Sequence, residues 1–152
     1  MPKIIFGIDP GAKGGVAVID SEGAIEWAGR LPYVGKQVDV LALRSLFYIW
    51  NPDRAVVEQQ SIRSGQAGAL SIGANYGRIL GVLETLEVPH KIVTPAKWNK
   101  AAGIKPGTAG AAKKDQSYLI AKKLWGAELY NEFGLTRKTD GPIEALLIAN
   151  FG

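Results

Sequence analysis

The order of apolar runs and turns along the chain limits the folds that it can adopt. Apolar segments at 4–8, 14–20 and 23–31 are joined by short turns, which predicts three antiparallel strands. A segment with helical spacing of its apolar residues follows at 36–50, and a further buried strand is predicted at 54–60. A strand, a crossover helix and another strand in this order predict a parallel pair. The sequence therefore predicts an α/β fold.

The second half of the chain alternates loops, helices and one more strand. A polar segment at 61–68 is typical of a loop, and the Gly- and Ala-rich segment at 69–86 is predicted to be a helix. The later segments are predicted, in order, as one strand and three helices, at 90–95, 96–103, 111–126 and 139–152. Because 152 residues suffice for one domain with a core, we expect a single domain over residues 1–152.

The composition is that of an ordinary globular protein. Hydrophobic residues make up 47% and charged residues 21% of the chain. The absence of cysteine excludes disulfides and thiolate catalysis. No apolar segment has the length of a membrane span, and the N-terminus lacks the layout of a signal peptide. We therefore expect no membrane partner and no secretion, with a location in the cytoplasm, associated with the nucleoid, or in an organellar matrix.

Positive charge is concentrated in the second half of the chain. The 18 Lys and Arg residues exceed the 14 Asp and Glu residues, which gives a net charge of +4. More than half of the basic residues lie between positions 91 and 138. This distribution favours a surface that faces phosphate groups, and an ordinary solvated lysine face is the alternative.

Four acidic residues occupy unusual positions at the ends of apolar segments. Asp9 ends the first strand, just before a glycine-rich turn, and Glu58 lies near the end of the strand at 54–60. Asp140 and Glu144 are four residues apart at the start of an otherwise apolar helix, so both project from one face of it. Each position also has a structural explanation. Asp9 can cap a turn, Glu58 can face solvent, and Asp140 can be a helix N-cap.

Taken together, these acids favour a metal site over separate structural roles. Four carboxylates cannot stay ionised side by side without cations, because like charges raise one another's pKa. Carboxylate oxygens suit Mg²⁺ or Mn²⁺, and two such ions about 4 Å apart stabilise the attacking and leaving oxygens in phosphodiester hydrolysis. With one histidine, His90, and no cysteine, we do not expect a zinc site. We therefore expect two Mg²⁺ ions per site, with Mn²⁺ able to substitute.

Four longer segments carry a family resemblance. They are FGIDPGAKGGVAVID, RAVVEQQ, GANYGRILGVLETLEVPHKIVTPAKWNKAAGI and TDGPIEALLIANFG. In this order, over nearly the whole chain, they resemble the RuvC family of Holliday-junction resolvases. The resemblance implies an RNase H-like fold with a five-stranded mixed sheet and helices on both faces. It also implies a homodimer that nicks two opposed strands of a four-way DNA junction and leaves 5′-phosphate and 3′-hydroxyl ends.

The resemblance assigns the four acids to catalysis and metal binding. Asp9 matches the family's first-strand aspartate, and Glu58 matches the glutamate of its second motif. Asp140 and Glu144 match the final acidic pair. In the commonest bacterial pattern, however, two aspartates lie three residues apart. The spacing of four with a final glutamate in this chain resembles phage-type and organellar relatives.

The resemblance also indicates where DNA is contacted. The family places a phosphate-contacting lysine near the start of the helix at 111–126. The candidates for phosphate contact are Lys114, Lys113, Lys100 and Lys97, with Lys114 the strongest. Bacterial members carry an aromatic wedge in the loop after the glutamate, and this loop has no aromatic residue. Ile62 or Arg63 would serve as the wedge, or the wedge is absent.

Three glycines and two tryptophans each have both a structural and a functional interpretation. Gly73, Gly77 and Gly81 lie four residues apart on one face of the Gly- and Ala-rich helix. This face could form the dimer interface or could pack on its own sheet. Trp98 and Trp125 are interpreted as packing residues, with base stacking as the alternative.

Three other functions remain open. The segment GIDPGAKGGVAVID also resembles the phosphate-binding hairpin of actin-like ATPases and sugar kinases. Those proteins need two such lobes around a nucleotide, so we expect no nucleotide cofactor in a chain of 152 residues. A junction-binding protein without cleavage would bind polyanionic DNA better without the acids. An RNase H-like nuclease acting on flaps or other branched DNA differs from a resolvase only in its substrate.

Overall fold

The chain forms a central sheet with helices around it. The structure is a computed structural model that describes residues 1–152. The strands are β1 (Ile4–Asp9), β2 (Gly15–Asp20), β3 (Ile25–Arg30), β4 (Tyr33–Val34), β5 (Gln37–Val38), β6 (Arg54–Glu58) and β7 (His90–Val93). The helices are α1 (Val40–Trp50), α2 (Ala69–Thr85), α3 (Pro95–Ala102), α4 (Gly110–Trp125), α5 (Glu128–Asn131) and α6 (Asp140–Phe151). None of these helices has both the length and the apolar character needed to cross a membrane.

The main sheet has five strands in the order β3-β2-β1-β6-β7. Strand β2 pairs antiparallel with β1 and β3, whereas β6 pairs parallel with β1 and β7. The predicted antiparallel meander, the predicted parallel pair and the mixed five-stranded sheet are therefore confirmed. Because β1 and β6 are parallel neighbours, their carboxyl ends lie side by side at one edge of the sheet, where ligand sites of α/β proteins form.

Apolar side chains alternate between the two faces of the sheet, and each face has its own core. Ile5 and Val56 belong to a core cluster that includes side chains of α3, α4, α5 and α6. Phe6 belongs to a second cluster that includes side chains of α1 and α2. The predicted helices on both faces are thus confirmed. Since side chains alternate along a strand, Asp9 and Glu58 project to the face that α3, α4 and α6 cover.

Helix α6 packs on the sheet with its backbone in contact with the strands. A Cβ added to Gly7 of β1 would lie 2.6 Å from the backbone nitrogen of Ala149. A Cβ added to Gly15 of β2 would overlap the backbone of Gly141, and one added to Gly141 would overlap the turn between β1 and β2. Glycine at these positions therefore lets the first turn of α6 rest directly on that turn.

The structure differs from the sequence prediction at two places. Helix α1 begins at Val40 rather than at residue 36, because β4 and β5 pair in a small antiparallel hairpin. Asp39 caps α1 by accepting hydrogen bonds from the backbone N–H groups of Leu41 and Ala42. Helix α5 was not predicted, since its four residues are too few to show a periodic apolar pattern.

Candidate active site

Asp9 and Glu58 are the last residues of two adjacent parallel strands. The register pairs Ile8 of β1 with Val57 of β6, which places the two acids next to each other at the carboxyl edge of the sheet. Asp9 is only 9% exposed and Glu58 only 8% exposed. A buried carboxylate is unfavourable unless it is paired or hydrogen-bonded, so both side chains need partners.

The first turns of α6 bring further acids to this edge. Asp140 is the first residue of α6, and Glu144 follows one turn later. The charge of Glu144 raises the pKa of both Asp9 and Glu58, so the structure brings these three acids together. The Asp140 side chain is 25% exposed, against 14% for Glu144. Asp140 is not among the charges that shift the pKa of Asp9 or Glu58, and its partner is Lys114.

Asp9 is buried among like charges. Burial, followed by the charges of Glu144 and Glu58, raises the pKa of Asp9 to about 7. Two contacts act in the opposite direction. The backbone N–H of Gly11 donates to Oδ1 of Asp9 at 3.0 Å, and the charge of Lys113 also lowers the pKa. A further cation near Asp9 would favour its ionised form.

Glu58 has a buried indole as its hydrogen-bond partner. Trp98 of α3 donates its Nε1–H to Oε2 of Glu58 at 2.6 Å. Burial is the largest influence on Glu58 and raises its pKa, and the charge of Glu144 adds to this effect. The Trp98 hydrogen bond and the charge of Lys113 lower the pKa of Glu58 but do not offset burial.

Lys113 and Lys114, the fourth and fifth residues of α4, supply the positive charge beside the acids. Lys113 Nζ lies 3.5 Å from Oε1 of Glu144, and Lys114 Nζ lies 3.1 Å from Oδ2 of Asp140. Helix α4 packs against α6, which brings the two helix starts side by side. The sequence predicted that these lysines contact phosphate, and in the structure they pair with the predicted metal ligands. Their contact with DNA stays a prediction.

The acidic cluster fits a divalent cation by its chemistry. Its donors are carboxylate oxygens, the ligands that Mg²⁺ and Mn²⁺ prefer in proteins. As the side chains lie, no group of three His, Cys, Asp or Glu residues is arranged to hold one ion. The carboxylates repel one another. Two of them are paired with lysines, Glu144 with Lys113 and Asp140 with Lys114. In this arrangement Lys113 and Lys114 neutralise part of the negative charge of the acids.

The remaining DNA-contact candidates lie on exposed surface near the cluster. Lys97 and Lys100 are exposed residues of α3, the helix that carries Trp98. Ile62 and Arg63 are exposed in the loop that follows β6. Cδ1 of Ile62 would lie 3.2 Å from a Cβ added at Gly73, so Ile62 lies against α2. The roles of all four residues stay predictions.

Two residues, Trp98 and Tyr33, contribute to the site without a sequence signal for that role. Trp98 was assigned to packing, although a buried indole N–H needs an acceptor, and the sequence does not show which acceptor it finds. Tyr33 was not singled out because the β4–β5 hairpin that carries it was not predicted. Its hydroxyl donates to the carbonyl oxygen of Gly11 at 2.9 Å. Burial and the charge of Asp9 raise the pKa of Tyr33, which places it beside the cluster.

Solved proteins share this arrangement of sheet, helices and carboxyl edge. The structure titled as Thermus thermophilus RuvC in complex with a Holliday junction substrate aligns with a TM-score of 0.70 at 18% identity, over 97% of this chain and 90% of that one. The chain has the RuvC-like fold. Its predicted RNase H-like architecture is thereby confirmed.

Two resolvases from other sources share the RuvC-like fold. Fowlpox virus resolvase, in complex with Holliday junction DNA, aligns with a TM-score of 0.56 at 14% identity, over 98% of this chain and 93% of that one. The yeast mitochondrial Holliday junction resolvase Ydc2 aligns with a TM-score of 0.52 at 15% identity, over 95% and 75%. Comparison of the sequence with protein-family models and with curated proteins gives no match.

Asp9→Asn is expected to change how stability depends on pH. The pKa of Asp9 is about 7 in the folded protein and has its ordinary value of 3.8 without burial. Between these values the folded state binds more protons than the unfolded state, so wild-type stability falls as pH rises from about 4 to about 7. Asparagine does not ionise, so the Tm of the variant relative to wild type should rise over the same range. Thermal unfolding in EDTA measures this difference, and parallel Tm curves would contradict it.

Proposed function

We propose that this protein is a metal-dependent endonuclease that resolves four-way DNA junctions by paired nicks, leaving 5′-phosphate and 3′-hydroxyl ends. One observation carries the proposal: Asp9, Glu58 and Glu144 converge at the carboxyl edge of a RuvC-like sheet. Two solved proteins with this fold are complexes with Holliday junction DNA. The fold alone is compatible with many functions, so the acidic cluster is what supports a nuclease. We propose one nuclease domain over residues 1–152.

The four acids are the proposed metal ligands. Asp9, Glu58 and Glu144 would hold Mg²⁺, or Mn²⁺ in its place, with Asp140 contributing from the first residue of α6. Two such ions supply an activated water and stabilise the leaving oxygen in phosphodiester hydrolysis. The protein's own contribution is orientation, because the Gly11 N–H holds one oxygen of Asp9 in place. Burial also strengthens the interaction of these carboxylates with any cation, because water screens it less.

Branched DNA is the proposed substrate and partner. The chain has a net charge of +4, and its basic residues are concentrated in the half that contains α3 and α4. When cations neutralise the acids, Lys113 and Lys114 become free to turn to phosphates. Lys97 and Lys100 would extend this surface along α3. The loop that carries Ile62 and Arg63 begins near Glu58, which supports a role at the junction itself.

A second copy of the chain is the proposed partner for symmetric cleavage. Nicks on two opposed strands require two active sites, which a two-fold dimer provides. The glycine face of α2 is open at Gly77 and Gly81, where nothing lies within 4 Å of an added Cβ, whereas Ile62 lies against the position of Gly73. The opposite face of α2 packs on the sheet through the buried Ile79 and Leu83. The open face therefore supports helix-to-helix contact between two copies.

Glu58→Gln tests the proposed catalytic site. The substitution keeps the shape of the side chain and removes a charge and a metal ligand, so junction cleavage should fall by at least about 100-fold. Junction binding should persist or tighten, because a negative charge that faces phosphate is removed. The assay incubates labelled four-way junctions, flaps and duplex with the protein, with and without Mg²⁺. Binding is measured in Ca²⁺, whose looser coordination supports little cleavage.

Glu22→Gln is the matched control, because Glu22 is an exposed acid in the turn between β2 and β3. It should cleave like wild type. Normal cleavage by Glu58→Gln would remove Glu58 from the site. If wild type prefers flaps to junctions, flap DNA replaces the four-way junction as the proposed substrate. If wild type binds junctions without cleaving them, the protein is a junction-binding protein and not a nuclease.

Lys114→Gln tests the proposed phosphate contact. Removing one such contact should flatten the slope of log affinity against log salt by about one unit and weaken binding similarly for all junction sequences. Fluorescence anisotropy in Ca²⁺ at several salt concentrations measures this slope. Lys123→Gln, an exposed lysine in the last turn of α4, is the control and should keep the wild-type slope. An unchanged slope for Lys114→Gln would assign Lys114 to solvent.

Gly77→Leu tests the proposed dimer interface. The protomer has room for the side chain, because nothing lies within 4 Å of a Cβ at Gly77. A second helix packed on this face would be pushed away, so the variant should become monomeric while wild type has about twice the chain mass in light scattering. Lys122→Leu adds the same side chain to the exposed surface of α4 and should stay dimeric. A monomeric wild type that still resolves junctions would contradict the dimer.

A further inference from the structure

Trp98 is a large side chain that is fully buried, and its one polar atom points at the acidic cluster. Its Nε1 donates to Oε2 of Glu58 at 2.6 Å. Trp125 provides a comparison within the same chain, because its Nε1 donates to the neutral carbonyl oxygen of Gly23 at 2.8 Å. A hydrogen bond to an ionised acceptor is shorter and stronger than one to a neutral acceptor. The shorter of the two contacts thus joins Trp98 to a carboxyl group of the acidic cluster, whereas Trp125 bonds only to the backbone.

The indole also contacts the positive charge of the cluster. Lys113 Nζ lies 5.0 Å from the centroid of the Trp98 ring, within the range of a cation–π interaction. The same ammonium group lies 3.5 Å from Oε1 of Glu144. The Trp98 side chain thus contacts both Glu58 of β6 and Lys113, the lysine that pairs with Glu144 of α6.

The backbone around Trp98 is well determined by local structure. Helix α3 begins directly after β7, the neighbour of β6 in the sheet. Thr94 caps α3 by accepting a hydrogen bond from the backbone N–H of Lys97, and Pro95 occupies the first turn. Trp98 follows one turn into the helix. Its ring is therefore held by the sheet and the helix together and can orient a partner that would otherwise rotate.

We propose that Trp98 is a positioning residue for the metal site. Its N–H holds Oε2 of Glu58 and leaves Oε1 available to a divalent cation, while its ring face receives Lys113 as that lysine leaves Glu144. The inference rests on the proposed function, because it assumes that the acids hold a cation. Residues that orient a metal ligand through a hydrogen bond typically change metal affinity or activity by about 10- to 100-fold when they are removed.

Trp98→Phe keeps an aromatic ring and removes the N–H. We expect the dissociation constant for Ca²⁺, measured by calorimetry without DNA, to rise by about 10-fold. Raising the Mg²⁺ concentration should recover cleavage in part, because the effect is on metal binding. Trp125→Phe removes an indole N–H of the same kind away from the cluster and should stay within about twofold of wild type. Equal Ca²⁺ affinity in Trp98→Phe and wild type, or an equal loss in both variants, overturns the proposal.

A spectroscopic measurement covers the case in which Trp98→Phe does not fold. The chain has four tryptophans, so a ¹H–¹⁵N spectrum contains four indole N–H signals. In EDTA the Trp98 proton should resonate downfield of the Trp125 proton, because its hydrogen bond is shorter. Glu58→Gln should move it upfield, and Ca²⁺ should shift it while leaving the Trp125 signal in place. A Trp98 signal that responds to neither change overturns the proposal.

The two proposals fail in distinguishable ways. If wild type cleaves no branched DNA but Ca²⁺ affinity still falls in Trp98→Phe, the resolvase function is contradicted and the positioning role of Trp98 is supported. If wild type resolves junctions and the Trp98 signal changes with neither Glu58→Gln nor Ca²⁺, the resolvase function is supported and Trp98 is only a packing residue.

Discussion

The backbone contact between α6 and the first two strands is the constraint on which the site depends. Side chains are absent at Gly7, Gly15 and Gly141, so the start of α6 rests directly on the turn that follows Asp9. Glu144, one turn into the helix, is thereby held close enough to raise the pKa of Asp9. A methyl group at these glycines would meet backbone atoms, which in a close-packed interior can move only if the helix moves. Packing, rather than attraction between charges, assembles the acids.

Bringing these acids together creates electrostatic repulsion, and nearby contacts reduce that repulsion. Burial and mutual repulsion disfavour the charged forms of Asp9 and Glu58. Each acid then has a different kind of partner: a backbone N–H for Asp9, an indole N–H for Glu58 and an ammonium group for Glu144. These contacts reduce the penalty without removing it, since both pKa values remain raised. Because repulsion between the carboxylates remains, the site favours binding of a cation.

The helices that follow the sheet supply the partners of the acids from separate directions. Helix α3 brings Trp98 beneath the cluster, and α4 brings Lys113 and Lys114 to its open side. The lysines therefore occupy the boundary between the acids and solvent, where a phosphate backbone would approach. In our proposal, divalent cations bind the acids in place of the lysines, and the lysines then bind DNA phosphates. Metal binding and DNA binding would then be linked by the same two ammonium groups.

The sequence by itself determined the five strands of the main sheet, its antiparallel meander, one parallel pair and two of the site positions. Continuous apolar runs such as 4–8 can bury both faces only inside a sheet, so an acid at the end of such a run, like Asp9 or Glu58, is placed at an edge by strand geometry. Tertiary structure alone decided which residues surround them. The Trp98 hydrogen bond joins residues 40 positions apart, and Tyr33 reaches Gly11 from a hairpin without a periodic signal. Local patterns report burial and periodicity, whereas the partner of a buried polar atom is chosen by how distant elements pack.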